Sequence, residues 1–318
     1  MDRMIALLAP GQGAQTTGML TPWLALADAE DRIAAWSRAA GLDLRRLGTT
    51  AGAEEIKDTA AAQPLIVALS LLAAEELTRR IDLPVDAPVV GHSVGELTAV
   101  AVAGVLSADE AVALAAARGR AMASACALEP TGMSAVLGGD PGDVATALTQ
   151  LKLAAANHNG AGQIVAAGRL DALAALAAHP PVRARVKPLP VAGAFHTRFM
   201  APAQRALAEY ATQLTAKDPS RPLLSNAEGE LVTDGAEMLQ RLVAQVTRAV
   251  RWDSCMATLR ALDITATIEL PPGGTLSGLV RRDLKGTVTL ALKAPEDLDN
   301  LAALISDHFA TAPSGIHA

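Results

Sequence analysis

Ser93 stands in Gly91-His92-Ser93-Val94-Gly95-Glu96. G-x-S-x-G is the spacing of a nucleophilic serine carried on a sharp strand-to-helix turn. An extended apolar segment, Ala87-Pro88-Val89-Val90, precedes it, and a helix-like run, Leu97 to Ala103, follows. A side chain at position 91 or 95 would collide with the backbone that crosses such a turn, hence glycine. The turn lifts the Ser93 hydroxyl above the sheet edge and sets it beside a helix N-terminus. Free N–H groups and the positive end of the helix dipole there favour developing negative charge. An ordinary turn with a buried or capping serine would use the same residues, but the flanking strand and helix favour the catalytic reading.

A serine nucleophile needs a base, and the chain has six histidines. His92 adjoins Ser93, and neighbours around a tight turn generally point apart. His158 falls at a turn, His179 precedes two prolines, and His308 and His317 lie near the C-terminus. These five read as surface or satisfied histidines. His196 sits in the small-residue loop Val191-Ala192-Gly193-Ala194-Phe195-His196-Thr197, at a domain junction where sites are favoured, and is the candidate base. Pro10-Gly11-Gln12-Gly13 follows the first strand. An oxyanion hole takes one N–H from the residue after the nucleophile and one from a neighbouring strand-to-helix loop; Val94 and Gln12 fit those two places. The alternative is a plain Gly-rich turn. It is not a dinucleotide fingerprint, because Thr16 stands where the third glycine is needed. Arg118 and Arg120 share one helix. An outward arginine carries its charge to water, and an inward one requires a carboxylate or phosphate partner.

The elements that must position these residues follow a β-then-α order. A strand is expected at 4–8, helices near 20–27, 30–40 and 60–80, a strand at 87–90, and helices near 95–104 and 108–125. This is the signature of an α/β fold with a mainly parallel sheet. From 133 to 189 the order becomes β-α-β-β-α-β, a ferredoxin-like unit inserted in the larger one. The expected division is 1–128 and 197–318 for the large unit and 129–196 for the small one. Helices at 200–216 and 235–261 and strands at 264–270 and 287–292 complete the large unit, with a frayed tail at 312–318.

The chain has 318 residues, 51% of them apolar but only 2% aromatic, so a large core must be built from Ala, Leu and Val. A net charge of −6 argues against nucleic acid as a partner. Cys126 and Cys255 have neither disulfide-framework nor zinc-ligand spacing. The N-terminal apolar stretch is too short for a signal peptide. The longest candidate membrane span, 97–117, is interrupted by Ser107, Asp109 and Glu110. The expectation is a cytoplasmic protein with no membrane partner and no metal.

Seven motifs together resemble one family, the malonyl-CoA:acyl-carrier-protein transacylases of fatty-acid and polyketide synthesis. In order they are Pro10 to Gly13, Gly91 to Glu96, Arg118-Gly119, Ala156 to Asn159 with Gly162-Gln163, Gly193 to His196, Gln245 with Val250-Arg251-Trp252, and Glu269 to Gly274 with Leu276 to Leu279. The resemblance spans about 4–285. It implies an α/β-hydrolase-like large subdomain with a ferredoxin-like small one, Ser93 as nucleophile, His196 as base, and Gln12 and Val94 N–H groups as the oxyanion hole. It implies Arg118 on the malonyl carboxylate, and Phe195, Asn157 and Gln163 among the substrate-binding residues. In the family a main-chain carbonyl near the glutamine matching Gln245 orients the histidine, so replacing that side chain should be mild. The implied substrate is malonyl-CoA, with no bound cofactor, and the acceptor is the phosphopantetheine thiol of acyl carrier protein. Such carriers are acidic, so a basic docking patch is expected from Arg183, Arg185 and Lys187 or from Arg281, Arg282 and Lys285. Ala249 replaces a frequent proline and Pro271-Pro272-Gly273-Gly274 a Gly-Pro-Gly turn; neither change removes a reacting group. A serine thioesterase would share Ser93 and His196 without needing Arg118. A silent carrier-binding module would need neither.

Overall fold

The computed structural model describes residues 4–301. His308, His317 and the tail at 312–318 lie outside them. The strands are β1 (Met4–Ala9), β2 (Val89–Gly91), β3 (Thr131–Gly138), β4 (Ala154–His158), β5 (Gln163–Arg169), β6 (Ala184–Pro188), β7 (Val250–Arg251), β8 (Ile264–Glu269) and β9 (Val288–Ala291). The helices before the first sheet closes are α1 (Ala29–Ala40), α2 (Leu44–Thr49), α3 (Ala53–Lys57) and α4 (Thr59–Arg80). α5 (Gly95–Val102) and α6 (Ala108–Cys126) follow the elbow, and α7 (Pro141–Gln150) and α8 (Leu170–Ala178) belong to the second sheet. α9 (Ala201–Ala211), α10 (Gly235–Gln245), α11 (Trp252–Ala261) and α12 (Thr275–Asp283) complete the chain.

Two sheets divide these elements. The first is wholly parallel, in the order β2-β1-β8-β9. Its strands are short and apolar because helices cover both faces; β1 is buried from Ile5 to Ala9. The second has the order β6-β3-β5-β4-β7, its first four strands antiparallel. The α/β class and the βαββαβ order agree with the sequence reading. The core is aliphatic, with Trp23, Trp36 and Trp252 as its largest buried side chains.

Three expectations need correction. The helix near 20–27 is a short 3-10 turn, Thr21–Ala25, with Pro22 in its first positions. The single helix at 235–261 is two, because Val250–Arg251 crosses to pair in parallel with Asn157 and His158 of β4. Two apolar stripes, Met238-Leu242 and Trp252-Cys255-Met256-Leu259, read as one when the two-residue strand between them carries no signal of its own. Among the described residues the helix long and apolar enough to cross a membrane is α4, not 97–117. α4 is buried over most of its length and serves as the core helix packed on α6.

Candidate active site

The elbow joins β2 to α5. An added Cβ on Gly91 would lie 2.0 Å from the Gly95 carbonyl carbon, and one on Gly95 would lie 2.2 Å from the Ala9 carbonyl oxygen. Both glycines are therefore dictated by crossing backbone. Ser93 sits at φ +54°, and His196, in the loop after β6, sits at φ +61°. Left-handed backbone at two non-glycine residues costs energy that the fold must offset, and such strain collects at functional sites.

The two strained residues meet. Ser93 Oγ lies 2.7 Å from His196 Nε2, and His196 Nδ1 lies 2.9 Å from the Gln245 main-chain carbonyl oxygen. A carbonyl only accepts, so Nδ1 carries the proton and donates. Nε2 of the neutral ring is then free to accept from the serine hydroxyl. Burial, followed by the nearby Arg118 charge, lowers His196 from 6.5 to about 3 and holds it neutral at rest. A neutral imidazole is the form a base requires.

Arg118 faces inward and is 3% exposed. Its Nη1 donates to Gln63 Oε1 at 2.7 Å, and its Nη2 donates to Gln245 Oε1 at 2.7 Å and to Ser93 Oγ at 3.3 Å. These partners are neutral. Its Nε–H and one Nη1–H have no partner among the described residues. Burial lowers its pKa to about 10, with Glu96 opposing, so it stays charged at neutral pH. Arg120, two residues on, is exposed and donates to the Ala40 carbonyl oxygen at 2.9 Å.

The Gln12 side chain is tied back to Thr59 Oγ1 at 3.2 Å. Among the described residues the Gln12 and Val94 N–H groups have no acceptor. A cavity of about 200 Å³ opens over Ser93. Gln12, Phe195, Asn157 and Gln163 line it together with Ser93, Arg118 and His196. Asn157 Oδ1 is buried there without a hydrogen-bond partner, an acceptor left for a ligand. Val94 and Gln245 are not among the cavity's lining residues, and Gln245 instead contacts Arg118 and His196. Seven of the residues singled out in sequence thus share one space.

Some of its members were not legible. His92 does not turn away from the site: its ring lines the cavity, with Nε2 2.9 Å from Asn159 Oδ1. Gln63, from the start of α4, supports Arg118. Asn226 accepts the Ser93 N–H at 2.7 Å and donates to the Gly91 carbonyl oxygen at 2.7 Å. Its segment, Leu224-Ser225-Asn226-Ala227, carries no motif. The Gln245 side chain is engaged as well, through Nε2 to the Ser93 carbonyl oxygen at 3.1 Å and to Glu96. Glu96 is visible in the elbow motif, but its neighbours are not.

A family model described as an acyl transferase domain matches residues 7–304. The malonyl CoA-acyl carrier protein transacylase of Mycobacterium tuberculosis is 61% identical over 302 residues, covering 95% of this chain and all of the relative. The crystal structure of MCAT from Mycobacterium tuberculosis superposes with a TM-score of 0.92 at 60% identity, covering 94% of this chain and 100% of that one. A solved complex of a type II PKS acyl-carrier protein with its malonyl-transacylase matches with a TM-score of 0.87 at 27% identity, over 95% of this chain and 99% of that one. With a serine–histidine pair, two N–H groups and a guanidinium that has no ion pair among the described residues, and with this likeness along nearly its whole length, the chain belongs to the malonyl CoA-acyl carrier protein transacylase family of acyl transferases.

Proposed function

We propose that this enzyme transfers the malonyl group from malonyl-CoA to the phosphopantetheine thiol of acyl carrier protein, through a malonyl ester on Ser93. His196 Nε2 takes the Ser93 proton as Oγ attacks the thioester carbonyl. The Gln12 and Val94 N–H groups hold the tetrahedral oxyanion. On collapse the C–S bond breaks and His196 returns the proton to the leaving CoA thiolate. The carrier thiol then attacks the ester, giving its proton to His196, which passes it to the departing Ser93 Oγ. Asn157 Oδ1 and Gln163 serve as polar contacts for the substrate, and Phe195 fills the space beside the acyl α-carbon. The Gln245 carbonyl keeps the base in its tautomer.

The observation that carries this reading is the Arg118 guanidinium, buried, charged and without an ion pair among the described residues, its Nη2 3.3 Å from Ser93 Oγ. A buried cation favours an anionic partner, and a carboxylate can take two parallel N–H···O bonds from it. A thioesterase acting on neutral acyl groups would leave this charge unpaired. The solved carrier complex of a relative supports the acceptor.

We further propose that the small subdomain comprises 129–196, with β7 lent to its sheet by the large one, and that the enzyme is cytoplasmic. The free thiols of Cys126 and Cys255 accord with a reducing compartment.

Mass spectrometry after brief exposure to malonyl-CoA tests the intermediate. One malonyl adduct is expected on the Ser93 peptide and none in Ser93→Ala; an adduct on Cys126 would overturn the assignment. Burial raises Cys126 to about 11, which makes it a poor competitor. Arg118→Ala should cost malonyl transfer roughly 2–5 kcal/mol and spare acetyl transfer. Competition between the two thioesters measures this.

A further inference from the structure

Glu96 is the second residue of α5 and is 1% exposed, and no step above uses it. A buried carboxylate needs partners. One oxygen accepts the Asn226 main-chain N–H, and the other accepts from Gln245 Nε2. Asn226 and Gln245 hold the site in turn. Asn226 Oδ1 accepts the Ser93 N–H, and Gln245 Nε2 donates to the Ser93 carbonyl oxygen. Gln245 Oε1 accepts from Arg118. Through two residues Glu96 therefore reaches both backbone groups of the strained nucleophile and the guanidinium beside it.

Two physical consequences follow. An ionised carboxylate can only accept. Facing it, the Gln245 amide must present its NH2 to Glu96 and so its oxygen to Arg118. Glutamine at 96 would have to offer its oxygen to the Asn226 N–H and its NH2 to Gln245. The Gln245 amide would then either lose its acceptor at 96 or turn over, setting an NH2 against the guanidinium and its oxygen against the Ser93 carbonyl. The second consequence concerns charge. Arg118 has neutral hydrogen-bond partners, and the charge that opposes its desolvation is Glu96, one amide away. A direct salt bridge would occupy the guanidinium; a counter-charge behind Gln245 leaves it open.

We propose that Glu96 is a positioning residue for carboxylated acyl groups, fixing the Gln245 amide with its oxygen on Arg118 and balancing that buried cation from behind. The proposal rests on the reading of Arg118 given above. The titratable groups that face Glu96 are Arg118 from α6 and Cys255 from α11, with His196 beyond Gln245. Burial keeps the Cys255 thiol protonated, and His196 is neutral, so Arg118 is the charge Glu96 meets. Burial also raises Glu96 to about 7, against the Asn226, Gln245 and Ser225 hydrogen bonds and the Arg118 charge. A proton on Glu96 supplies a donor and releases the amide.

The test is the ratio of kcat/KM for malonyl-CoA to that for acetyl-CoA between about pH 5.5 and 8.5, where the malonyl carboxylate stays ionised. In the unmodified enzyme the ratio should fall as pH drops through the Glu96 titration. E96Q should lower the ratio about tenfold and flatten its pH dependence, and E96D should recover part of it. R118A should collapse the ratio at every pH. If R118A leaves the ratio intact, the reading of Arg118 fails and this proposal with it. If R118A collapses the ratio while E96Q preserves it, the role of Glu96 is overturned and the malonyl reading stands. Should E96Q fail to fold, E96D decides, since its shorter side chain should lower the ratio by less than about tenfold; a ratio unchanged in E96D overturns the proposal.

Discussion

At the scale of single residues, Gln245 does two jobs with two parts. Its main-chain oxygen fixes the His196 tautomer, and that group survives any substitution. Its side chain joins Arg118, the Ser93 carbonyl and Glu96, so the mild effect expected from sequence no longer follows. Gln245→Ala leaves a buried cation, a buried carboxylate and a carbonyl each short of a partner. Such groups cost about 1–3 kcal/mol, more when charged. We expect a loss of about a hundredfold in kcat/KM for malonyl-CoA and a smaller one for acetyl-CoA. Steady-state kinetics with both donors decides it: equal small losses would return the side chain to a passive role.

At the scale of elements, α6 matters because it carries Arg118 in its interior. Its start is fixed by a reciprocal cap: Ser107 Oγ accepts the Glu110 N–H at 3.2 Å and Glu110 Oε2 accepts the Ser107 N–H at 2.8 Å. Arg118 lies about three turns further on and is held by Gln63 and Gln245. Ser107→Ala should therefore act on stability and spare catalysis. The loss expected is about 1 kcal/mol, a fall in Tm of roughly 2–4 °C. Calorimetry and malonyl-transfer rates on the same preparation check both halves; a drop in rate would mean that the cap sets the Arg118 position.

At the scale of the whole molecule, Arg185 and Lys187 of one basic cluster and Arg282 of the other are tied to the second sheet, whereas Arg281 donates to Thr289 of β9 and Lys285 lines a separate cavity. Arg185 pairs with Leu137 and Lys187 with Ala135, while Leu137 pairs with Gln163. Paired residues of antiparallel strands face the same side. Ala135 and Gln163 line the cavity, so Arg185 and Lys187 share its face of the sheet. From α12, Arg282 Nη2 donates to Gln163 Oε1 at 3.0 Å. Arg185 and Lys187 on that face, with Arg282 on Gln163, are the candidates for a local basic surface despite a net charge of −6. Arg185→Glu with Lys187→Glu should raise the KM for an acidic carrier by about tenfold, weaken its salt dependence, and leave the KM for malonyl-CoA unchanged. An unchanged carrier KM, measured at low and high salt, would move docking to another face.

Local rules made much of the protein legible from its residues. The elbow is read from Gly91, Ser93 and Gly95 because the clash that selects glycine lies within one turn. The parallel sheet is read from apolar strands separated by amphipathic helices. His196 and Arg118 could be named as types with a task, but their meeting could not be derived from spacing. Ser93 and His196 are 103 positions apart, Ser93 and Asn226 are 133, and Glu96 and Gln245 are 149. Contacts of that separation leave no periodicity. The same holds for β7, two residues whose strand character comes from β4 alone. Which of two nearby arginines turns inward, which carboxylate is buried, and how a glutamine amide is oriented are set by partners that only the packed fold supplies. Local sterics are written in neighbouring residues, whereas desolvation and hydrogen-bond pairing depend on everything that closes around a group.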